Sequence, residues 1–229
     1  MKQLSMECCV LGMVSTNCYI VYRKERDEEG ENGENGGLKP GVIIDPGDNA
    51  PYILNKCREL DVEPKAVLLT HGHFDHILAA EDIRRTFHIP VLASEKEMEL
   101  LEEPDMNLSS TYEEPMSLTA DRWLKDGETL ELLGKTWRVI HTPGHTAGCL
   151  CYYIEDEDLL FSGDTLFQES VGRTDLPTAR PGEIIDSVVN KLFVLPDDTK
   201  VYPGHGGSSR IGHEKQYNIV ARYRGQRRL

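Results

Sequence analysis

VLLTHGHFDH, residues 67–76, joins an apolar run to a cluster of three histidines and one aspartate. The apolar half predicts a β-strand, so the polar half lies where that strand ends. Imidazole nitrogens and carboxylate oxygens are the ligands that zinc and neighbouring first-row metals prefer. Gly72 lets the chain turn between His71 and His73 without a side chain in the way. This stretch therefore predicts a metal site at the end of a strand.

The same arrangement occurs three more times along the chain. Apolar runs lead into further candidate ligands: residues 137–140 into His145, residues 159–162 into Asp164 and residues 201–202 into His205. Strand ends at one edge of an α/β sheet share a crevice, so these side chains can meet in space. His141, four residues before His145, is interpreted either as a group that supports the site or as a structural residue.

Composition and charge narrow the class of protein. The 229 residues are 39% hydrophobic and 28% charged, which is typical of a globular protein and suits one domain, residues 1–229. Strand-like runs alternate with helical patterns, which favours a layered α/β domain. The formal net charge of −14 argues against a nucleic-acid partner. No apolar run reaches the ~18 residues of a membrane span, so we expect no membrane partner and a cytoplasmic location.

Three segments depart from the regular pattern. Residues 23–39 are acidic and glycine-rich and predict a flexible hairpin insertion, because they cannot build a core. Residues 102–121 form a polar stretch that is a candidate lid, since such loops often border active sites. Residues 210–229 form a basic tail, which we interpret as a solvated terminus.

One helix start carries a capping signal. Ser94 followed three residues later by Glu97 is a capping-box pair, in which each side chain bonds to the backbone of the other residue. This pair predicts a helix over residues 95–101 that ends before Pro104.

Four motifs carry a resemblance to a known family. T-H-G-H-F-D-H, T-P-G-H-T, S-G-D-T and Y-P-G-H-G follow one another between Thr70 and Gly206, and together they resemble the metallo-β-lactamase fold superfamily. The resemblance implies a four-layer αββα sandwich with the site at one edge. It also implies two divalent metal ions, with zinc expected and iron or manganese as alternatives. The implied ligands are His71, His73 and His145 for one ion, Asp75, His76 and His205 for the other, and Asp164 as a bridge.

The bridging position distinguishes branches of the superfamily. Asp164 stands where zinc β-lactamases carry a cysteine, and together with residues 171–177 it resembles the short glyoxalase II-like, hydroxyacylglutathione hydrolase-like branch. True glyoxalase II enzymes have a C-terminal helical region that helps to bind glutathione, and this chain is too short to contain all of it. This departure from the pattern argues against a glutathione thioester as the specific substrate.

The resemblance implies an enzyme, a metal-dependent hydrolase. A metal-bridging hydroxide would attack an acyl carbonyl, either of a hydroxyacylglutathione-type thioester or of a related small acyl substrate. Asp75 would orient the nucleophile or carry its proton, and Arg173 would bind the substrate through charge-assisted hydrogen bonds. The alternatives are a persulfide dioxygenase with a single iron, and a lactonase or nuclease of the same superfamily. The expected assembly is a monomer or a homodimer.

Overall fold

Two six-stranded sheets form the centre of the protein, which is seen in a computed structural model that describes residues 3–24, 37–111 and 114–223. The first sheet has its strands in chain order: β1 Leu4–Leu11, β2 Thr16–Arg23, β3 Lys39–Ile44, β4 Val62–Leu68, β5 Val91–Ser94 and β6 Arg122–Leu124. The second sheet runs, from edge to edge, through β14 Ser209–Arg210, β13 Lys200–Pro203, β10 Leu159–Gly163, β9 Leu150–Ile154, β8 Lys135–His141 and β7 Thr129–Leu132. A small ribbon pairs β11 Leu166–Phe167 with β12 Ser170–Val171.

Helices cover the outer faces of both sheets. They are α1 Ala50–Glu59, α2 Phe74–Ile77, α3 Ala80–Phe87, α4 Met98–Glu102, α5 Pro181–Asp186 with a π-helical continuation Ser187–Leu192, and α6 Ile211–Tyr217. Single 3-10 turns lie at Glu95–Glu97, Ser109–Thr111, Glu155–Glu157 and Ala221–Tyr223. No helix in these described ranges is long and apolar enough to cross a membrane.

Three apolar clusters show how the layers stack. Successive strand residues point to opposite faces of a sheet, so each strand contributes to two cores. The central cluster lies between the sheets and contains Tyr19, Ile44 and Leu68 of the first and Trp137, Tyr152 and Phe161 of the second. The two outer clusters join Ile20 and Ile43 to α1 and α3, and Cys151 and Leu160 to the helical segment 181–192. This order of helix, sheet, sheet and helix confirms the predicted αββα sandwich.

The strand directions bring the predicted ligand positions to one edge. Strands β3 to β6 are parallel, and so are β10 and β13. β8 shares the direction of β10 because the antiparallel β9 lies between them. Two backbone hydrogen bonds join the sheets at this edge, from Leu150 N to the Thr70 carbonyl (2.8 Å) and from Asn17 N to the Gly204 carbonyl (2.7 Å). The ends of β4, β8, β10 and β13 therefore face one another.

Two helical segments are less regular than their sequences indicate. The prediction for residues 95–101 is partly wrong, because a 3-10 turn precedes α4 and the capping box does not form. Ser94 Oγ accepts from Lys96 N, whereas the Glu97 carboxylate turns into the protein. The apolar pattern over residues 77–87 is split between α2 and α3, since Ala79 N donates to the Pro46 carbonyl (2.9 Å) and leaves the helical ladder.

The segments with unusual composition lie partly outside the described residues. Residues 25–36 of the predicted insertion and residues 224–229 of the basic tail are not among them. The insertion joins β2 to β3, which are antiparallel neighbours with Tyr22 opposite Gly41. The first part of the tail, from Arg210, forms the end of β14 and then α6. The single-domain organisation stays a prediction.

Candidate metal centre

The fold brings all seven predicted ligands to the shared edge of the two sheets. His71 and His73 follow β4, Asp75 and His76 lie in α2, His145 lies between β8 and β9, Asp164 follows β10 and His205 follows β13. These residues form three groups of three, and within each group the ligand atoms of the three side chains lie within 4.8 Å of one another. The groups are His71 with His73 and His145, His71 with His76 and Asp164, and Asp75 with His76 and His205. We call the first group the histidine trio and the third group the mixed trio.

Asp164 lies between these two trios. Its Oδ2 is 3.5 Å from Nε2 of His145 in the histidine trio and 3.4 Å from Nε2 of His205 in the mixed trio. Its Oδ1 is 3.5 Å from Nε2 of His76. The carboxylate therefore contacts members of both trios, which is the geometry required of a bridging ligand.

Hydrogen bonds on the far side of the rings orient the histidines. Nδ1 of His76 donates to Asp45 Oδ2 (2.9 Å), and Nδ1 of His145 donates to the Arg173 carbonyl (2.7 Å). Nδ1 of His71 lies 3.2 Å from Thr70 Oγ1, which itself donates to Asp45. A proton held on Nδ1 leaves Nε2 as the lone-pair nitrogen, and such partners are the usual second layer of a metal site.

The ligand atoms themselves fit metal ions. Nε2 of His71, Nε2 of His76 and Oδ1 of Asp164 are buried and have no hydrogen-bond partner. Buried polar atoms are normally paired, because leaving one without a partner costs free energy. Coordination of metal ions by the two trios and by Asp164 would satisfy these atoms.

The two trios differ in their charge. Burial lowers the pKa of His71 and lowers that of His73 to about 3, so both rings are neutral and ready to donate a lone pair. Burial also disfavours charge on His76 and His205, but the facing carboxylates Asp75 and Asp164 outweigh it and raise their pKa to about 9 and about 10. A metal ion entering the mixed trio must therefore displace protons.

The carboxylates of the site are held in their ionised form. Burial would raise the pKa of Asp75, but His76, His205 and a 2.6 Å hydrogen bond from Thr16 Oγ1 hold it well below its usual range. The pKa of Asp164 is lowered in the same way, against the effect of burial, chiefly by the charge of His76. Ionised carboxylates are the form that binds a cation.

Sequence reasoning missed Asp45, which organises one side of the centre. This residue is 2% exposed and has a left-handed backbone, with φ of 49°. Its Oδ1 accepts from Thr70 N (2.7 Å), and its Oδ2 accepts from Thr70 Oγ1 (2.6 Å) and from His76. An aspartate between the apolar end of a strand and Pro46-Gly47 was the available signal.

Two other predicted residues occupy supporting positions. Nε2 of His141 donates to the Ala147 carbonyl (2.8 Å), so His141 braces the loop that carries His145 and belongs to none of the ligand groups. Arg173 holds His145 through its carbonyl, while its guanidinium forms a two-pronged ion pair with Asp175 (2.6 and 2.7 Å). Substrate binding by the Arg173 side chain stays a prediction.

A cavity of about 380 Å³ opens beside Asp75. Its apolar wall comes from the β1–β2 turn and from α2 and its end, through Met13, Val14, Phe74 and Leu78. The remainder is formed by Gly12, Gly47, Asp48, Ser109 and Glu114. Ser109 and Glu114 belong to the segment 102–121, so this predicted lid candidate borders the centre.

Comparison with known proteins agrees with this geometry. Residues 34–205 match the Metallo-beta-lactamase superfamily. The chain belongs to this superfamily. Its fold and its grouped ligands accordingly make the protein a metal-binding member of a family of metallo-hydrolases.

Individual members of the superfamily match nearly the whole chain. Hydroxyacylglutathione hydrolase GloC of Haemophilus influenzae is 36% identical over 218 residues, which cover 94% of this chain and 97% of that protein. The crystal structure of BLEG-1 B3 metallo-beta-lactamase superposes with a TM-score of 0.84 and 38% identity, covering 94% and 98% of the two chains. That of TTHA1623 in a di-iron-bound form superposes with a TM-score of 0.76 and 33% identity, covering 93% and 98%.

Proposed function

We propose that this superfamily member is a binuclear thioesterase that hydrolyses hydroxyacylglutathione-type or related small thioesters. One divalent ion would be held by the histidine trio and another by the mixed trio, with Asp164 between them. The observation that carries the proposal is the contact of Asp164 with both trios beside a cavity of substrate size. When bound, two such ions lower the pKa of a shared water towards about 7 and stabilise negative charge on a carbonyl oxygen.

Asp75 faces both the centre and the cavity. Its Oδ2 accepts from Thr16 Oγ1 and lies 3.3 Å from His205 Nε2 and 3.4 Å from His76 Nε2. Asp75 would accept a hydrogen bond from the nucleophile and orient it, or carry its proton.

The cavity supplies the binding surface for the substrate. Met13, Val14, Phe74 and Leu78 present apolar side chains to an acyl or thiol group that lies beside Asp75. Asp48 and Glu114 are its peripheral charged residues, and the described lining contains no lysine or arginine. The similarity to GloC supports a glutathione thioester, whereas the apolar, acidic lining supports acceptance of smaller neutral thioesters as well.

Zinc is the metal that we propose, on the basis of the histidine and carboxylate donors. The di-iron form of TTHA1623 supports iron as the alternative. The further proposals are a small-molecule substrate with no nucleic-acid or membrane partner, a monomer or homodimer, and a cytoplasmic location.

The similarity to BLEG-1 favours β-lactam hydrolysis as a second candidate function.

One set of assays tests these proposals. Purified protein, its metals counted by elemental analysis, is offered S-D-lactoylglutathione, the neutral thioester S-acetyl-N-acetylcysteamine and a chromogenic cephalosporin, each with and without a chelator. We expect two ions per chain and chelator-sensitive cleavage of both thioesters, with little turnover of the cephalosporin. Preference for the cephalosporin would replace the thioesterase proposal with β-lactam hydrolysis. Oxygen uptake with glutathione persulfide and one iron per chain would replace it with persulfide oxidation.

A further inference from the structure

Glu97 is a buried acidic residue that the proposed reaction does not use. It ends the 3-10 turn before α4 and is 1% exposed. Its Oε2 accepts from Gly72 N (2.8 Å), and its Oε1 accepts from Gly148 N (2.7 Å) and from Thr146 Oγ1 (2.8 Å). Burying a carboxylate is costly unless it is paired or hydrogen-bonded, and here three donors from other segments satisfy it.

The three donors belong to the two loops that carry the histidine trio. Gly72 lies between His71 and His73, and Thr146 directly follows His145. The Glu97 carboxylate thus ties the loop after β4 to the loop between β8 and β9. These loops are far apart in sequence, and the separations from Glu97 are 25 residues to Gly72 and 49 to Thr146.

The surrounding chain is shaped to admit this side chain. A Cβ added at Gly148 would lie 2.5 Å from Glu97 Oε1 and 2.7 Å from its Cγ, so only glycine leaves room at this position. The carboxylate is also chemically required, because all three neighbours are donors. An amide of the same shape would turn its NH₂ group towards at least one N–H or O–H donor and lose that bond.

We propose that Glu97 is a positioning residue that sets the spacing of His71, His73 and His145 and so holds the histidine trio in its metal-binding geometry. The inference rests on the proposed metal site but on no particular substrate. Glu97 does not touch the metal or the substrate, and it acts through the backbone of the two ligand loops. Partners of this kind typically contribute about 10- to 100-fold to metal affinity.

Glu97→Gln tests the proposal, and Glu99→Gln is its matched control because Glu99 lies on the next turn and is exposed. The affinity for Co²⁺ is measured by competition with a chelator, and the visible spectrum of bound Co²⁺ reports the ligand geometry. Measurements are made at pH 8, because burial raises the pKa of Glu97 to about 7. We expect Glu97→Gln to weaken Co²⁺ binding about 10- to 100-fold and to alter the spectrum, whereas Glu99→Gln matches the wild type.

Thr146→Val offers a milder test should Glu97→Gln fold poorly. It removes one donor and keeps the side-chain shape, so it should weaken Co²⁺ binding by less than Glu97→Gln does. Wild-type affinity and spectrum in both variants would overturn the proposal. Glu97→Asp should recover part of the affinity, since the carboxylate returns with a shorter reach.

A wild-type protein that binds Co²⁺ but cleaves no thioester would refute the proposed function and leave this inference standing.

Discussion

Asp164 shows how one side chain connects the two halves of the candidate centre. It follows β10, and each of its carboxylate oxygens faces a different histidine of the mixed trio, while Oδ2 also faces His145. Its role differs from that of His141, which supports the same site through the Ala147 carbonyl. Mutations of Asp164 and of His141 should therefore differ in their effects on metal content and activity.

We expect Asp164→Asn to lower both the metal content and the thioesterase activity. Loss of a residue that supports a ligand typically costs about 10- to 100-fold, and loss of Asp164 should cost more. The amide keeps the shape but loses the charge and one of the two acceptor oxygens. His141→Ala should reduce activity by about 10-fold or less, because it removes only a brace. Elemental analysis and initial rates measure both effects. Equal metal loss in the two variants would contradict the assignment of Asp164 as the bridge.

The seven predicted ligands and the supporting residues differ in how visible they are in the sequence. His71, His73, Asp75 and His76 form a dense local motif, and the other ligands follow apolar runs and glycines. Asp45 and Glu97 instead act on residues at least 25 positions away, so no local pattern marks their contacts. The Ser94 and Glu97 pair even predicts a local capping bond that the structure replaces with a long-range one.

The β1–β2 turn is the element that forms the outer wall of the cavity. Met13 and Val14 lie in this turn and are 69% and 41% exposed. An exposed apolar group beside a reactive centre is commonly part of a binding surface. We therefore expect the turn to contribute to substrate affinity and little to stability.

Val14→Ser should raise KM for a thioester by about 3- to 10-fold with kcat nearly unchanged, because it removes apolar contact with the bound substrate. Val194→Ser is the matched control, since Val194 is 70% exposed and does not line the cavity. Steady-state kinetics and the unfolding free energy of both variants are compared. A fall in kcat with an unchanged KM in Val14→Ser would argue against a binding role for the turn.

The loop between β8 and β9 depends on close packing against α5. Gly144 has φ of 153°, and a Cβ there would lie 2.5 Å from Cα and Cβ of Ile184. Gly127 also has a positive φ, 77°, but a Cβ there would meet nothing within 4 Å. A side chain at Gly144 is therefore excluded by the contact with Ile184 as well as by the backbone conformation, whereas at Gly127 only the backbone conformation opposes it.

Gly144→Ala should destabilise the protein by about 1–3 kcal/mol more than Gly127→Ala, because overpacking against Ile184 adds to the cost of backbone strain. It should also weaken metal binding, since His145 follows Gly144 directly. Urea unfolding at pH 7.5 measures the difference in the free energy of unfolding. Equal destabilisation by the two substitutions would show that the loop and α5 can separate without cost.

Throughout the molecule, buried cysteine and tyrosine side chains keep their protons to a higher pH than they would in water. Burial raises the pKa of the Cys57 thiol to about 12 and that of Cys151 to about 11. Burial likewise raises the pKa of Cys18, Cys149 and Tyr152 well above their ordinary values. The unfolded chain releases these protons near pH 9 to 10, whereas the folded chain retains them.

Stability should therefore fall as the pH rises from about 9 towards 11 and 12, because the unfolded state then binds fewer protons than the folded state. Below pH 9 these groups contribute no pH dependence. Urea unfolding in the presence of a reductant, at pH 7.5 and pH 10, measures the loss. Cys57→Ala should show a smaller loss between these pH values than the wild type. An increase in stability at pH 10 would contradict the prediction.

The layered α/β class, the strands that lead to the site and the seven candidate ligands could be predicted from the order of the residues alone. These features depend on the local order of residue types, namely apolar runs that end in glycine, histidine and aspartate. Three contacts became visible only in the folded chain: Asp164 faces both trios, Asp45 orients His76, and Glu97 connects two ligand loops. These contacts join residues tens of positions apart, and they depend on the pairing of strands within each sheet and on the stacking of the two sheets at one edge.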